Sequence, residues 1–256
     1  MSEVKIDDAV VVWAVDGQRV SAERALVELA RKPLLLLMHG FGSFEGDLIS
    51  LAAQLPTGFV CASPRAPLTA PPPIVNGFAW WPLPLNEQGL PLRQPDTEYF
   101  EGSGPHVAAV ALLEWLSSLD ERVRTANSSA TAASSGLGTV ALFGFSQGGC
   151  MVTSLLRLSP ERFVCGVNCS GFVAPGAFGR DARLAELRPP MFWGRDEADP
   201  IIDAHRIALT SAWAPTHTRL EARLYDGIFH GIGAEELRDI SDFLVKHVPE
   251  AANVTQ

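Results

Sequence analysis

The sequence predicts an α/β fold with a mostly parallel central sheet that is flanked by helices on both faces. Short apolar runs of strand length alternate with longer segments of helical periodicity along the 256 residues. Hydrophobic residues make up 47% of the chain and charged residues 19%, so a large buried core can form. No change of composition divides the chain, and we therefore expect one domain over residues 1–256.

Two kinds of regular segment carry this prediction. Those with strand character are residues 10–15, 34–38, 59–62, 139–143, 163–168, 191–193 and 220–225. Those with helical character are residues 45–54, 105–119, 147–158, 203–213 and 235–247.

Two further segments interrupt the alternation of strands and helices. Residues 64–104 are rich in proline and glycine and are too long for an ordinary connection, which predicts a loop that shapes a pocket wall. Residues 125–138 are biased towards serine, alanine and threonine, which predicts a flexible surface loop.

A serine with a glycine two residues away on each side follows the strand at residues 139–143. The run Gly144-Phe145-Ser146-Gln147-Gly148 is typical of a sharp strand-to-helix turn that exposes a nucleophilic serine. Glycine is needed at the flanking positions because side chains there would clash. Glycine-rich turns also match this pattern by chance, but the apolar strand before it and the apolar helix after it favour a nucleophile at Ser146.

A serine hydroxyl is a weak nucleophile, so this turn predicts a histidine base and an orienting acid later in the chain. Of the four histidines after Ser146, His230 alone lies in a loop between the last strand and the final helix. Two aspartates follow the strand at residues 191–193. Asp199 is the favoured acid because the apolar residues after it can bury it, and Asp196 is the second candidate.

Acyl transfer also requires N–H groups that stabilise the oxyanion of the tetrahedral intermediate. The backbone N–H of Gln147, directly after the serine, is one candidate. The backbone N–H of Phe41, in the glycine-rich turn after the strand at residues 34–38, is the other. His39 begins this turn, where we expect it to form structural hydrogen bonds.

Aromatic residues on the loops, among them Phe41, predict an apolar substrate pocket near Ser146, since ligands of open α/β sheets bind beyond the carboxyl ends of the strands. We expect the pocket to favour short to medium acyl chains. The predicted substrate-binding residues are Trp80, Trp81, Phe172 and Phe229.

Charge and apolar runs exclude several classes of partner. The net charge of −9 leaves no basic surplus for nucleic acid or an anionic membrane, and no apolar run approaches the length of about 20 residues that spans a bilayer. The acidic N-terminus is unlike a signal peptide, which predicts a cytoplasmic protein. The four cysteines lack the spacing of a zinc site. The expected partner is a small-molecule ester, and no feature of the sequence indicates an oligomeric state.

Five segments, in the same order, resemble the phospholipase/carboxylesterase family of α/β-hydrolases, which includes acyl-protein thioesterases and small bacterial carboxylesterases. They are Leu37-Met38-His39-Gly40-Phe41-Gly42, Ala79-Trp80-Trp81, Gly144-Phe145-Ser146-Gln147-Gly148-Gly149, Asp199-Pro200-Ile201-Ile202 and His230-Gly231-Ile232 with Glu235-Glu236-Leu237. The resemblance spans roughly residues 34–243. Family members commonly have Trp-Phe-Asp where this chain has Trp80-Trp81-Pro82.

The resemblance implies the α/β-hydrolase fold and assigns roles to the candidate residues. Ser146, Asp199 and His230 are then the catalytic triad, Phe41 and Gln147 supply the oxyanion hole, and neither a metal ion nor an organic cofactor takes part. The leading hypothesis is a serine carboxyl-ester hydrolase that acts on short- to medium-chain apolar esters. The alternative is an acyl-thioesterase or lysophospholipase. A non-catalytic binding protein on the same fold is disfavoured because neither the triad nor the oxyanion turn is disrupted.

Overall fold

The computed structural model describes residues 4–92, 95–128 and 136–252. In chain order its strands are β1 (Val12–Val15), β2 (Gln18–Val20), β3 (Leu34–Met38), β4 (Val60–Ser63), β5 (Leu68–Thr69), β6 (Phe78–Ala79), β7 (Val140–Phe145), β8 (Cys165–Cys169), β9 (Pro190–Arg195) and β10 (Arg219–Leu224). Its α-helices are α1 (Ala22–Glu28), α2 (Gly104–Ala126), α3 (Gln147–Leu158), α4 (Asp181–Leu187), α5 (Ala204–His217) and α6 (Ala234–His247).

Eight of these strands form one sheet, in the order β10-β9-β8-β7-β3-β4-β1-β2. The strands from β10 to β4 are parallel, whereas β1 is antiparallel to both of its neighbours. The predicted fold class, an α/β fold with a mostly parallel sheet, is confirmed. Strand order reverses around β3, which pairs with β4 on one side and β7 on the other. Ligands of such sheets bind beyond the carboxyl ends of the strands at this point of reversal.

Both faces of the sheet are covered, and β3 shows this directly. Because successive side chains of a strand point to opposite faces, Leu34, Leu36 and Met38 pack in one core together with residues of α1, α2 and α3. Leu35 and Leu37 pack in a second core with residues of α6 and of a 3₁₀ helix at Leu48–Gln54. A strand that is buried on both faces needs a continuous apolar run, and β3 has one.

The structure differs from the sequence prediction in several elements. The helix predicted at residues 45–54 is a 3₁₀ helix at Leu48–Gln54, and α2 extends beyond the predicted 105–119. The sequence prediction missed β2, α1 and α4. The sequence signal for β2 is the dipeptide Asp16-Gly17, which is typical of a tight hairpin turn. In the structure both residues have the positive φ that such a turn requires, 52° and 72°.

The two segments that interrupted the predicted alternation have different outcomes. Within residues 64–104, β5 and β6 form a two-stranded antiparallel ribbon. The predicted surface loop at 125–138 begins inside α2, and residues 129–135 of it lie outside the described residues. Among the described helices, none is both long enough and apolar enough to span a bilayer.

Candidate active site

Ser146 lies at the turn between β7 and α3 with a backbone conformation that few residues other than glycine adopt. Its φ is 55° and its ψ is −114°. A Cβ atom on Gly144 would lie 2.0 Å from the carbonyl oxygen of Gly148, and one on Gly148 would lie 1.8 Å from the carbonyl oxygen of Met38. Both distances are far shorter than van der Waals contact, so this turn requires glycine on both sides of Ser146.

The side chains of Ser146, His230 and Asp199 form one hydrogen-bonded series. Ser146 Oγ lies 2.9 Å from His230 Nε2, and His230 Nδ1 lies 2.8 Å from Asp199 Oδ2. The Ser146 N–H also donates to the carbonyl oxygen of Cys169, which ties the turn to the neighbouring strand β8. An imidazole that donates from Nδ1 to the carboxylate can accept the serine proton at Nε2.

Asp199 is held as a carboxylate by three donors. Its Oδ1 accepts hydrogen bonds from the N–H groups of Ile201 and Ile202, at 2.7 and 3.1 Å. Burial raises the pKa of Asp199, but the hydrogen bond to His230 and those two N–H groups outweigh burial, and the pKa lies below its ordinary value. Asp199 is therefore ionised at neutral pH and able to stabilise a protonated His230.

Asp196, the second candidate for the acid, faces the backbone instead. Its Oδ1 accepts from the N–H of Ala198 and its Oδ2 from the N–H of Phe229, both at 2.8 Å. These and neighbouring backbone N–H groups lower the pKa of Asp196. Asp196 thus fixes the loop that carries His230, and the structure places only Asp199 against the imidazole.

The side-chain amide of Gln147 joins the serine turn to the long segment at residues 64–104. Gln147 Oε1 accepts from the N–H of Trp80 at 2.8 Å, and Gln147 Nε2 donates to the carbonyl oxygen of Trp81 at 2.9 Å. Sequence reasoning considered only the backbone of Gln147. No local pattern indicates these partners, which lie more than 60 residues earlier in the chain.

His39 is a fully buried structural residue, as its position predicts. Its Nδ1 lies 2.8 Å from the carbonyl oxygen of Gly40, and its Nε2 accepts from the N–H of Ala66 at 3.1 Å. Burial lowers the pKa of His39. The neutral ring therefore fixes the turn after β3 against the segment that begins at residue 64.

The two residues whose N–H groups are predicted to form the oxyanion hole line one cavity. The Gln147 N–H is at the first position of α3, where a backbone donor has no acceptor in its own helix. Phe41 and Gln147 line the same cavity as Ser146 and His230. A Cβ atom on Gly40 would lie 3.4 Å from Ser146 Cβ, so the turn after β3 runs beside the serine.

Two cavities share a wall at this edge of the sheet. The Ser146 cavity, of about 240 Å³, contains Ser146 and His230. A second cavity of about 320 Å³ lies next to it. Leu83, Phe172 and Arg206 line both cavities and form the shared wall. In the described residues, no group of three or more histidine, cysteine or acidic side chains is arranged to hold a metal ion.

The predicted substrate-binding aromatics separate into two groups. Phe172 lines both cavities and Trp81 lines the second. Trp80 and Phe229 line neither of them, which corrects the sequence prediction. Trp80 is buried, with its ring against His39 and its Nε1 donating to the His39 carbonyl oxygen at 2.8 Å. Phe229 is 58% exposed, because its φ of 50° and the hydrogen bond of its N–H to Asp196 hold its backbone in the loop.

A buried carboxyl lies just after the His230 loop. Glu236, near the start of α6, is fully buried, and its Oε2 accepts a long hydrogen bond of 3.4 Å from the Gly233 N–H. A Cβ atom on Gly194 would lie 2.2 Å from Glu236 Oε1, so the carboxyl packs against β9. Burial raises the pKa of Glu236 to about 7.

This carboxyl makes the stability of the protein depend on pH. The pKa of Glu236 is about 7 in the folded state and about 4.3 in an unfolded chain. Between these values the folded state binds a proton at Glu236 that the unfolded state does not, so the contribution of Glu236 to the free energy of unfolding should fall as pH rises and level off above 7. Glu236→Gln should remove this contribution, so the difference in the free energy of unfolding between variant and wild type should change by on the order of 2 kcal/mol between pH 5 and 8.

Urea denaturation of the wild type and the variant at pH 5 and pH 8 measures the effect. Glutamine at this position can still accept from the Gly233 N–H. Glu235→Gln, at an exposed neighbouring position of α6, is the matched control and should keep the wild-type pH dependence. Identical pH slopes for the wild type and Glu236→Gln would contradict the prediction.

Comparison with known proteins identifies the family. The family model described as phospholipase/carboxylesterase matches residues 120–248. Esterase PE8 is similar in structure, with a TM-score of 0.63 and 21% identity over 87% of this chain and 95% of that one. The Bacillus cereus carboxylesterase has a TM-score of 0.61 and 18% identity over 93% of each chain. A carboxylesterase from Mesorhizobium loti has a TM-score of 0.62 and 19% identity over 84% of this chain and 91% of that one.

No curated protein sequence matches the chain significantly. At these identities the solved structures show a shared fold, while the family model covers half of the chain. The predicted resemblance is confirmed: this chain is a hydrolase that belongs to the phospholipase/carboxylesterase family.

Proposed function

We propose that the protein hydrolyses carboxylic esters through an acyl-enzyme formed on Ser146. The observation that carries this proposal is the series from Ser146 Oγ to His230 Nε2 at 2.9 Å and from His230 Nδ1 to Asp199 Oδ2 at 2.8 Å. Its geometry is that of a nucleophile, a base and an orienting acid, and it opens into a cavity.

In the acylation step, His230 Nε2 takes the proton of Ser146 as Oγ attacks the ester carbonyl. The carbonyl oxygen becomes an oxyanion, for which the N–H groups of Gln147 and Phe41 are the proposed donors. Asp199 stabilises the imidazolium that forms. His230 then gives the proton to the departing alkoxide, which leaves as the alcohol, and the acyl group remains on Ser146.

In the deacylation step, a water molecule takes the place of the alcohol. His230 removes its proton while the water oxygen attacks the acyl carbonyl, and the same two N–H groups stabilise the second oxyanion. The tetrahedral intermediate collapses to the free carboxylic acid, and the proton on His230 returns to Ser146 Oγ. Every step uses side chains or backbone groups of the chain itself.

The walls of the Ser146 cavity support a substrate with a short to medium acyl chain. The apolar side chains of Phe41, Leu83 and Phe172 line it, and its volume is about 240 Å³. Each buried CH₂ group contributes roughly 0.8 kcal/mol. We expect kcat/KM to rise over the first few acyl carbons and to fall when the chain meets the shared wall.

The second cavity favours one alternative. An acyl chain that passes Leu83 and Phe172 reaches a further space of about 320 Å³ that Trp81 and Pro82 line. A substrate of that length is the long-chain acyl thioester or lysophospholipid of the alternative hypothesis. The preferred acyl-chain length therefore distinguishes a short- to medium-chain esterase from the long-chain alternative.

The length of the preferred acyl chain is tested with 4-nitrophenyl esters from acetate to palmitate. The wild type should prefer short to medium chains, and Trp81→Ala should move the optimum towards longer chains because it enlarges the second cavity. Trp213→Ala is the matched control, since Trp213 stacks on His217 and is not among the lining residues of either cavity. A wild type that prefers palmitate to butyrate would favour the long-chain alternative.

A further inference from the structure

Arg206 of α5 lies in the wall that the two cavities share. Its side chain lines both of them and is 18% exposed. The guanidinium carbon lies 4.9 Å from the centre of the Phe172 ring, and Nη1 lies 3.2 Å from Asp203 Oδ2. These two contacts orient the guanidinium along the wall, beside the aromatic ring that the substrate is proposed to touch.

Arg206 is a cation in the lining of the Ser146 cavity, which otherwise consists of apolar and glycine residues and of the polar residues Ser146, Gln147 and His230. Among the described residues that line the Ser146 cavity, it alone carries a fixed charge, and the lining includes Ile74, Leu83 and Phe172. The chain as a whole has a net charge of −9, so a general basic surplus does not explain this position. Holding a cation against apolar side chains is unfavourable unless an anion pairs with it.

The ion pair with Asp203 uses only some of the N–H donors of the Arg206 guanidinium. Asp203 Oδ1 accepts from the backbone N–H of Arg206 and caps α5, while Oδ2 contacts the side chain at Nη1. A guanidinium has five N–H donors, and its planar fork matches a carboxylate. The ion pair with Asp203 therefore leaves donors that a bound anion can use.

The second cavity places a limit on where such an anion sits. Asp96 lines that cavity, and its Oδ2 lies 2.6 Å from His205 Nε2. An anion beside Asp96 in the second cavity would be repelled by its carboxylate. An anion at the shared wall meets Arg206 instead, so the wall is the favourable place for it.

We propose that the preferred substrates are esters that carry a carboxylate several bonds from the scissile carbonyl, and that Arg206 binds this carboxylate. This inference rests on the proposed function and refines it, because an apolar ester chain with one anionic group fits the lining better than a wholly apolar one. Arg206 then determines specificity, while Ser146 and His230 carry out the chemistry.

The inference is tested by pairs of esters of similar size, in which one member ends in a carboxylate and the other in a neutral group. For a carboxylate on the acyl side, the pair is the 4-nitrophenyl half-ester of adipic acid and 4-nitrophenyl hexanoate. For a carboxylate on the alcohol side, the pair is 4-(butyryloxymethyl)benzoate and 4-methylbenzyl butyrate, in which a CH₂ group separates the ring from the leaving oxygen. The wild type should show at least about a tenfold higher kcat/KM for the charged member of one pair, since a charge-assisted hydrogen bond contributes that much. Which pair responds identifies the side.

Substitution of Arg206 supplies the second measurement. Arg206→Gln should reduce the ratio of charged to neutral kcat/KM at least about tenfold, and Arg206→Lys should retain part of it as a point charge. Arg183→Gln removes an exposed arginine that pairs with Glu161, and it should leave the ratio at the wild-type value. Wild-type turnover of the charged ester should also fall with added salt more than that of the neutral ester.

The outcomes separate this inference from the proposed function. Equal loss of both esters in Arg206→Gln, or an unchanged ratio, would show that Arg206 only shapes the wall and would overturn the inference. A wild type that prefers the neutral member of both pairs would overturn it without any variant. A wild type that hydrolyses no ester at all would overturn the proposed function itself.

Discussion

Replacing Ser146 with alanine should abolish ester hydrolysis and leave the fold intact. The loss in kcat should be on the order of 10⁴- to 10⁶-fold, because the change removes the proposed nucleophile, on which His230 and Asp199 act. The serine side chain forms no cap of α3, and its described hydrogen bond joins Oγ to His230. The measurement is turnover of 4-nitrophenyl butyrate, together with the midpoint of thermal unfolding.

A second serine of α3 provides the control for this substitution. Ser154 is also buried, but its Oγ donates to the carbonyl oxygen of Cys150 within the same helix. Ser154→Ala should therefore keep most of the activity. If Ser146→Ala retains more than a few per cent of wild-type kcat in a clean preparation, Ser146 is not the nucleophile.

Replacing Asp199 with asparagine should lower kcat/KM by about 10³- to 10⁴-fold. The carboxylate accepts from His230 Nδ1, whereas an asparagine NH₂ group at the same place would present a donor to that nitrogen. The imidazole would then hold its proton at Nε2 and would lose the ability to accept one from Ser146. Steady-state kinetics at pH 7.5 measure the loss.

Asp196→Asn should mainly lower the stability of the protein, whereas Asp199→Asn should mainly lower the rate of hydrolysis. Asp196 uses both oxygens to accept from backbone N–H groups, those of Ala198 and Phe229. Asparagine has one oxygen for these two donors, so the free energy of unfolding should fall by about 1–3 kcal/mol. The loss of rate should be much smaller than in Asp199→Asn. The opposite ranking of the two rates would assign the acid to Asp196.

The sequence is sufficient to place Ser146 and His230 because their positions follow from the order of strands and helices. Ser146 directly follows β7 and His230 lies in the loop after β10, and the strands of a parallel sheet end at one edge. The two aspartates are a harder case. Asp196 and Asp199 share one short loop, and what distinguishes them is whether a carboxyl faces an imidazole or a backbone N–H. That orientation is a tertiary property without a local signal.

The predicted pocket wall was only partly right for a related reason. An aromatic residue on a loop at the correct edge can face the cavity, as Phe172 does, or turn away from it. Trp80 is turned inward by its hydrogen bond to His39, and Phe229 is left outside by a left-handed backbone. Arg206 was missed because an arginine on a helix usually faces solvent.

Gln147 has a consequence for redesign of this enzyme. Its backbone N–H is proposed to stabilise the oxyanion, while its side chain holds the backbone of Trp80 and Trp81. One residue is thus proposed to serve the oxyanion through its backbone, and it holds the pocket wall through its side chain, so a substitution of that side chain would shift the wall right beside the reacting atoms. From Pro82 onward the wall has no such tie to Gln147 among the described residues. Substrate range is best engineered in that later part of the wall, where side chains such as Leu83 are exchangeable without touching the chemistry.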